Sequence, residues 1–408
     1  MNLRGASRRL GIQGGVGALA AALFVLGFGQ ELWARYLPEY LRVLGASALL
    51  VGAFGALQDL LDAAYAYPGG LLSDRLGSRR ALLAFATATA AGLAIYLLFR
   101  STAAIFCGLF LVTAWRSLGL PASFALVAEE LAREDRIAGF TAQAVLKRLP
   151  IVIAPPLGGL LLERLGIAGG MRLAIAISLV LCLAMLAALR AAFRSRPQLA
   201  DSPASMVPGR PASAAGAAVK LHPVLKRLLV ADCLIRLCEG LPDVFLVVWI
   251  LEILRLSPAR FGLLQSVLMG TAILSYLPAA LLARRVEKKP FVVLTFFFFA
   301  LFPVAVVLSR TFWQLAAAYA VGGLREIGEP ARKALIVDLA GASAPGRTVG
   351  LYYAVRGFVV AGAAVAGGAL WTIRPALTFW MAALLGSAGT LWSLLSLPRT
   401  EESEEVAA

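Results

Sequence analysis

FVVLTFFFFALFPVAVVL, residues Phe291 to Leu308, holds no charge and one hydroxyl, Thr295. Wound at 3.6 residues per turn it is apolar on every face, and it approaches the ~20 residues a helix needs to cross bilayer hydrocarbon. Leu173 to Leu189 reads the same way. A transmembrane β-strand would alternate apolar and polar positions over about ten residues, and neither run does. Outward from these stretches, the 408-residue chain is 60% hydrophobic and only 15% charged, against roughly 25% charged in a typical soluble domain. A soluble fold is excluded. Apolar runs bounded by charge or turn residues begin near Gly14, Ala46, Ala81, Ala103, Gly139, Arg172, Leu228, Phe261, Phe291, Phe312, Val349 and Ala376. Twelve helices with short connections need on the order of 300–350 residues, most of this length. The expected fold is all-α integral membrane, with twelve transmembrane helices.

The net charge is +15, from 38 Lys plus Arg against 23 Asp plus Glu. On a soluble domain that balance would suggest nucleic acid; here the sidedness of the loops accounts for it. With the N-terminus inside, the cytoplasmic segments hold Arg4, Arg8, Arg9, Arg75, Arg79, Arg80, Arg133, Arg136, the basic residues from Arg190 to Arg227, Arg284, Arg285, Lys288, Lys289, Arg332, Lys333, Arg347 and Arg399. External segments hold only Arg42, Arg100, Arg164, Arg172, Arg255, Arg260, Arg310 and Arg374. The positive-inside rule then places both termini in the cytoplasm of a multi-pass inner (plasma) membrane protein. MNLRGASRRL opens like a signal peptide, but the apolar run behind it continues for a full span, so the first helix is read as uncleaved. Cys107, Cys182, Cys233 and Cys238 fall inside spans with no C-x-x-C or histidine spacing and are read as packing residues. With no phosphate loop and no metal cluster, neither an enzyme, a cofactor nor a nucleic-acid partner is expected.

Between the sixth and seventh runs, SRPQLADSPASMVPGRPASAAGAAVKLHP has no apolar face and reads as a flexible tether. The expected organisation is a six-helix half over 1–193, a cytoplasmic linker over 194–223, a second six-helix half over 224–398 and an acidic tail over 399–408. The halves repeat each other. One gapless shift places Arg116 on Arg325, Gly119 on Gly328, Pro121 on Pro330, Leu126 on Leu335, Glu129 on Asp338, Lys147 on Arg356 and Gly158-Gly159 on Gly367-Gly368. A slightly longer shift places Glu31 on Asp243. Internal repeats of this kind mark secondary transporters, whose substrate site lies at mid-membrane where the repeats meet.

After the second run stands Gly70-Leu-Leu-Ser-Asp74-Arg75-Leu-Gly77-Ser-Arg79-Arg80. Read alone, Gly70 and Gly77 permit a tight turn, Asp74 can accept from a helix N-terminus or an arginine, and the arginines anchor the inner face. The stretch closely resembles the loop signature of the Major Facilitator Superfamily, in which it is a gating latch, and the resemblance covers essentially the whole chain. The matching stretch of the second half, Pro278 to Lys289, has Arg284 where the aspartate is expected. Ala154-Pro155-Pro156-Leu157-Gly158-Gly159 is similar to an element of the superfamily's antiporters, although proline and glycine that bend and closely pack a helix explain it equally well. Arg116 resembles a fourth-span arginine of drug and proton antiporters, but with Gly119 one position too early.

Basic residues inside the spans are Arg35, Arg116, Lys147, Arg148, Arg236, Arg325 and Arg356; acids include Glu31, Asp59, Asp62, Asp232, Glu239, Asp243, Glu326 and Glu329. A charge at mid-membrane costs roughly 2.5–3.5 kcal/mol on insertion scales, so it faces a cavity or a partner. Glu31 with Arg35, Asp232 with Arg236, Arg236 with Glu239 and Arg325 with Glu329 are about one turn apart and are expected to pair along a helix face. The set that obeys the repeat is sharper: Glu31 with Asp243, Arg116 with Arg325, Lys147 with Arg356. The resemblance implies that these line one central cavity, with Glu31 the anion facing Arg116. With one histidine, His222, a coupling proton falls to the carboxylates. The expected activity is secondary transport by alternating access: a small charged or amphiphilic solute exchanged for protons by a monomer in the bilayer. The rivals are symport of an organic anion and a non-transporting sensor or assembly partner.

Overall fold

The computed structural model describes residues 14–119, 123, 126, 136–194, 222–282, 288–339 and 345–397. Among them every regular element is helical. The α-helices of seven residues or more are α1 (Gly14–Glu31), α2 (Leu37–Val43), α3 (Ala48–Leu76), α4 (Ser78–Leu98), α5 (Thr102–Val112), α6 (Arg136–Arg194), α7 (Pro223–Asp243), α8 (Pro258–Leu282), α9 (Lys288–Leu308), α10 (Phe312–Leu324), α11 (Glu329–Asp338), α12 (Pro345–Ala361), α13 (Ala363–Ile373) and α14 (Pro375–Ser396). Each apolar run of the sequence begins within a few residues of one of these starts, except that the fifth and sixth share α6. That helix breaks at Gly166, whose φ of 72° and ψ of 161° only glycine adopts readily. Among the described residues, seven helices are long and apolar enough to cross a bilayer. Of the expected linker only Arg194, His222 and Pro223 are described; the expected tail, Pro121, Glu129, Arg133 and Arg284 lie outside the described residues.

The surface is apolar as well as the core, and a few charges are fully buried. Phe358 and Trp313 are 80% and 78% exposed, whereas Asp232 and Arg332 are 0% and 1% exposed. Lipid solvates the outer face, and the interior collects the charges, which must then pair.

The chain divides into two compact units, Met1–Leu44 with Leu61–Ala217, and Gly45–Leu60 with Ala218–Ala408. Helix α3 is therefore shared: its N-terminal half packs in the second unit, where a Cβ on Gly52 would lie 2.4 Å from the Ala364 carbonyl.

Inside each unit the sequence repeat becomes a packing repeat. A Cβ on Gly158 would lie 1.9 Å from the Leu32 carbonyl; one on Gly367 would lie 2.1 Å from the Leu241 carbonyl. The shift that maps Gly158 onto Gly367 also maps Leu32 onto Leu241. In both units a glycine lets a later helix touch the backbone of the first one, as small residues do throughout membrane interiors. Tyr36 donates its hydroxyl to the Pro155 carbonyl at 2.6 Å, adding a second tie at the same place. The only break in α6 is at Gly166, so the backbone is helical through Pro155, Pro156, Gly158 and Gly159. The element is a contact surface; its expected kink lies further along.

The loop signature is more helical than the sequence suggested. Gly70 and Asp74 belong to the backbone of α3, and the turn is Gly77 alone, at φ 78°. The side chains of Gly70 and Asp74 lie outside the described residues. Arg75 and Arg80 are exposed, and Arg79 stacks on Phe193 with its guanidinium carbon 5.7 Å from the ring centre.

Candidate functional site

Both repeat arginines sit where their span stops being an α-helix. Arg116 lies in a π-helical turn, Ala114–Leu118, directly after α5; Arg325 lies in a turn between α10 and α11, carried by short-range bonds such as Ile327 N–H to the Leu324 carbonyl at 3.1 Å. The cause is a threonine from a neighbouring helix. Thr89 on α4 accepts the Trp115 N–H at 3.1 Å, and Thr295 on α9 accepts the Gly328 N–H at 2.6 Å. A side chain inserted into the backbone ladder breaks it and re-aims the residues of the next turn. The break presents Arg116 and Ser117 together to one carboxylate.

That carboxylate is Asp62 on α3, which accepts from Arg116 Nη2 on one oxygen and Ser117 Oγ on the other. The expected anion, Glu31, instead holds Arg35 at 3.1 Å across the turn between α1 and α2. The Asp62–Arg116 side chains keep 34% and 41% of their surface exposed, so solvent screens the pair and it contributes only about 0–1 kcal/mol to stability. Glu31 and Arg116 do face one cavity of about 160 Å³, together with Lys147, Gln30, Ser123, Trp115 and an apolar wall of Leu23 and Ile151. One wall of this cavity is acidic, two groups are cationic, and the rest is apolar.

The second unit has a closed charge network instead. Asp232 on α7 accepts from Arg332 Nη1 at 2.5 Å, Tyr352 Oη at 3.0 Å and Arg356 Nη1 at 3.3 Å, all on one oxygen; its other oxygen lies 3.9 Å from Arg236 Nε. Glu329 accepts from Arg332 Nε at 3.1 Å and Nη2 at 2.8 Å, and from Arg236 Nη2 at 3.0 Å. Glu239 accepts from Arg236 Nη1 at 2.5 Å and faces Arg325 Nη2 at 3.3 Å. Arg325 also lies over Phe299 and Phe302, and Arg356 over Tyr353 at 4.5 Å. The pairs within α7 are those the spacing predicts. The pair expected between Arg325 and Glu329 does not form, because the chain between them is a turn and α-helical spacing no longer applies.

Arg332, assigned to a cytoplasmic segment by the loop reading, is instead the largest fully buried side chain of the described residues. Hydropathy gave no warning, since Arg332 and Lys333 stand together like a loop; only the exposed Lys333 behaves as one. Asp232 was visible as an acid within a span, but its place at the hub depends on α11 and α12. Asp59 and Asp243 are exposed, Arg148 and Glu326 half-buried, and none of the ion pairs above includes them. Cys182 and Cys238 are buried, Cys233 is half-buried, Cys107 is exposed and all four are free thiols.

A helical membrane protein that repeats itself, with charge collected on discontinuous spans, has the build of a secondary transporter. The profile of the Major Facilitator Superfamily matches residues 19–238 and 228–408, and the chain belongs to that family. A search of curated proteins returns no match. Among solved structures it is similar to a peptide transporter of the POT type in complex with sulfate (TM-score 0.73, 18% identity, 94% of this chain and 93% of that one). It is also similar to the nucleoside transporter NupG (TM-score 0.73, 12% identity, 93% and 100%) and to a bacterial homologue of the iron transporter ferroportin in an inward-facing state (TM-score 0.71, 14% identity, 93% and 98%). At these identities the likeness speaks for the fold.

Proposed function

We propose that this chain is a proton-coupled secondary active transporter that moves a small charged or amphiphilic solute by alternating access, as a monomer in the inner membrane with both termini cytoplasmic. The observation that carries the reading is the first unit's cavity, where Glu31, Arg116 and Lys147 face one space backed by apolar side chains. A soluble-type core has no use for such groups, and a membrane interior tolerates them only beside partners or a pathway. Asp62 is the coupling carboxylate: it is part-exposed and holds Arg116, so a proton arriving on it releases the guanidinium to a solute, and a solute arriving on Arg116 frees Asp62 to take a proton. Asp74, with Arg75, Arg79 and Arg80, serves the latch that the loop signature implies.

Symport of an organic anion is favoured by one specific feature of the second unit, where four guanidiniums share three carboxylates among the described residues. Exchange has the Ala154–Gly159 element in its favour, but the glycine and proline contacts there are accounted for by packing. The test uses purified protein in liposomes that enclose a pH-sensitive dye. Under an imposed pH gradient, pools of metabolites and amphiphilic drugs are added outside; at least one pool should drive proton movement, inward with an entering symported solute and opposite to an exchanged one. Asp62→Asn should still bind the solute without moving protons. A wild-type protein that moves a solute with no proton flux would overturn the coupling, and one that moves nothing in any pool would return the chain to the sensor reading.

A further inference from the structure

The four guanidiniums of the second unit are not held alike. Arg236 and Arg332 each make several hydrogen bonds of 2.5 to 3.1 Å. Among the described residues Arg356 has one hydrogen bond, at 3.3 Å, to an Asp232 oxygen that Arg332 and Tyr352 already occupy at shorter range. Arg325 has one ion pair there, at 3.3 Å through Nη2, and its Nε is buried without an acceptor. Guanidiniums bind oxyanions best through two parallel N–H groups, and the Nε–Nη2 edge of Arg325 is such a fork with one tine in use. The aromatic rings beneath both side chains hold them in place without neutralising them.

Two independent observations thus ask for the same thing. Four guanidiniums share three carboxylates among the described residues, and of the two buried guanidinium nitrogens without a hydrogen bond, Arg236 Nε lies 3.9 Å from Asp232 Oδ1 while Arg325 Nε belongs to one of the two loosely held arginines. We propose that Arg325 and Arg356 form an oxyanion subsite, taking a carboxylate or phosphate group of the transported solute, with Glu239 the internal anion that the solute displaces from Arg325. The inference rests on the transporter reading and adds the chemical class of the cargo. Arg332 and Arg236 keep Asp232 and Glu329 neutralised throughout, so an anion can arrive and leave without uncovering a buried charge.

The experiment measures equilibrium binding of radiolabelled succinate and, separately, radiolabelled inorganic phosphate to the purified full-length protein at fixed ionic strength. At least one should bind saturably, the two arms telling carboxylate from phosphate, and the uncharged dimethyl ester of succinate should not compete. Arg325→Ala and Arg356→Ala should each weaken binding about tenfold or more, with Arg325→Lys and Arg356→Lys, which keep the charge and guard against misfolding, recovering little of it. Arg260→Ala, which removes an exposed charge elsewhere, should leave it unchanged. Glu239→Gln should tighten binding, because the competing internal anion is gone; a merely structural network would not show that gain. No saturable binding of either anion, or binding indifferent to the two arginine-to-lysine changes and to Glu239→Gln, overturns the subsite even if proton-coupled flux is intact. Saturable anion binding with no proton-coupled flux would instead count against the transporter reading alone.

Discussion

Two ion pairs of similar appearance have opposite physics. Asp232 and Arg332 are buried to about 1–2% side-chain exposure, so removing one partner strands a charge in a low-dielectric interior at about 3–5 kcal/mol. Asp62 and Arg116 are part-exposed, and losing one of them costs about 1 kcal/mol or less. Arg332→Ala should therefore lower the melting temperature of the purified protein sharply. Arg116→Ala should melt near wild type yet abolish coupled transport, and Arg116→Lys should rescue poorly because a point charge cannot reach Asp62 and a solute with the same fork. Equal destabilisation by both alanine variants would contradict the assignment of one pair to structure and the other to function.

Two spans of this protein are interrupted at an arginine, and at each interruption a neighbouring helix's threonine accepts a backbone N–H. Thr295 lies in an otherwise unbroken apolar run, and its hydroxyl takes the Gly328 N–H that the helix would otherwise use. Thr295→Val keeps the shape but leaves that buried N–H unpaired, at about 1–3 kcal/mol; Thr295→Ser should restore most of the loss, read as thermal stability and as anion binding at Arg325. Close approach is the second element-scale device. Gly158→Ala and Gly367→Ala must each push a helix off a backbone carbonyl, since neither Leu32 nor Leu241 can yield as a side-chain tip does. Both variants should reduce the yield of monodisperse protein, while Gly270→Ala, with open space around its Cα, should not. Similar yields for all three would show that the repeat glycines are incidental.

At the scale of the molecule, the charge distribution makes a claim about sidedness. In a background without native cysteines, a cysteine at Ser205 should react only with reagents that reach the cytoplasm, and one at Ser101, which caps the start of α5, only with external reagents. The reverse pattern would invert every assignment of inside and outside. The burial of Arg332 leaves the expectation standing, because the remaining basic residues of the segments assigned to the cytoplasm still far outnumber those assigned outside.

Composition and apolar periodicity were enough to determine a bundle of membrane helices, because the cost of an unpaired backbone in lipid leaves so few alternatives. The repeat was legible too: Arg116 with Arg325 and Gly158 with Gly367 keep one register, and the two glycines pack alike against Leu32 and Leu241. The loop at Gly77 was legible because a positive φ favours glycine. What no reading of one helix at a time can reach is the pairing between helices. Charges a turn apart within α7 pair as spacing requires, yet Arg116 finds Asp62, Arg325 finds Glu239 and Arg332 closes on Asp232, each across helices far apart in the chain. Those choices belong to the tertiary structure, since in an apolar interior a charge goes to whichever counter-charge the packing brings within reach, and sequence distance carries no weight in that competition.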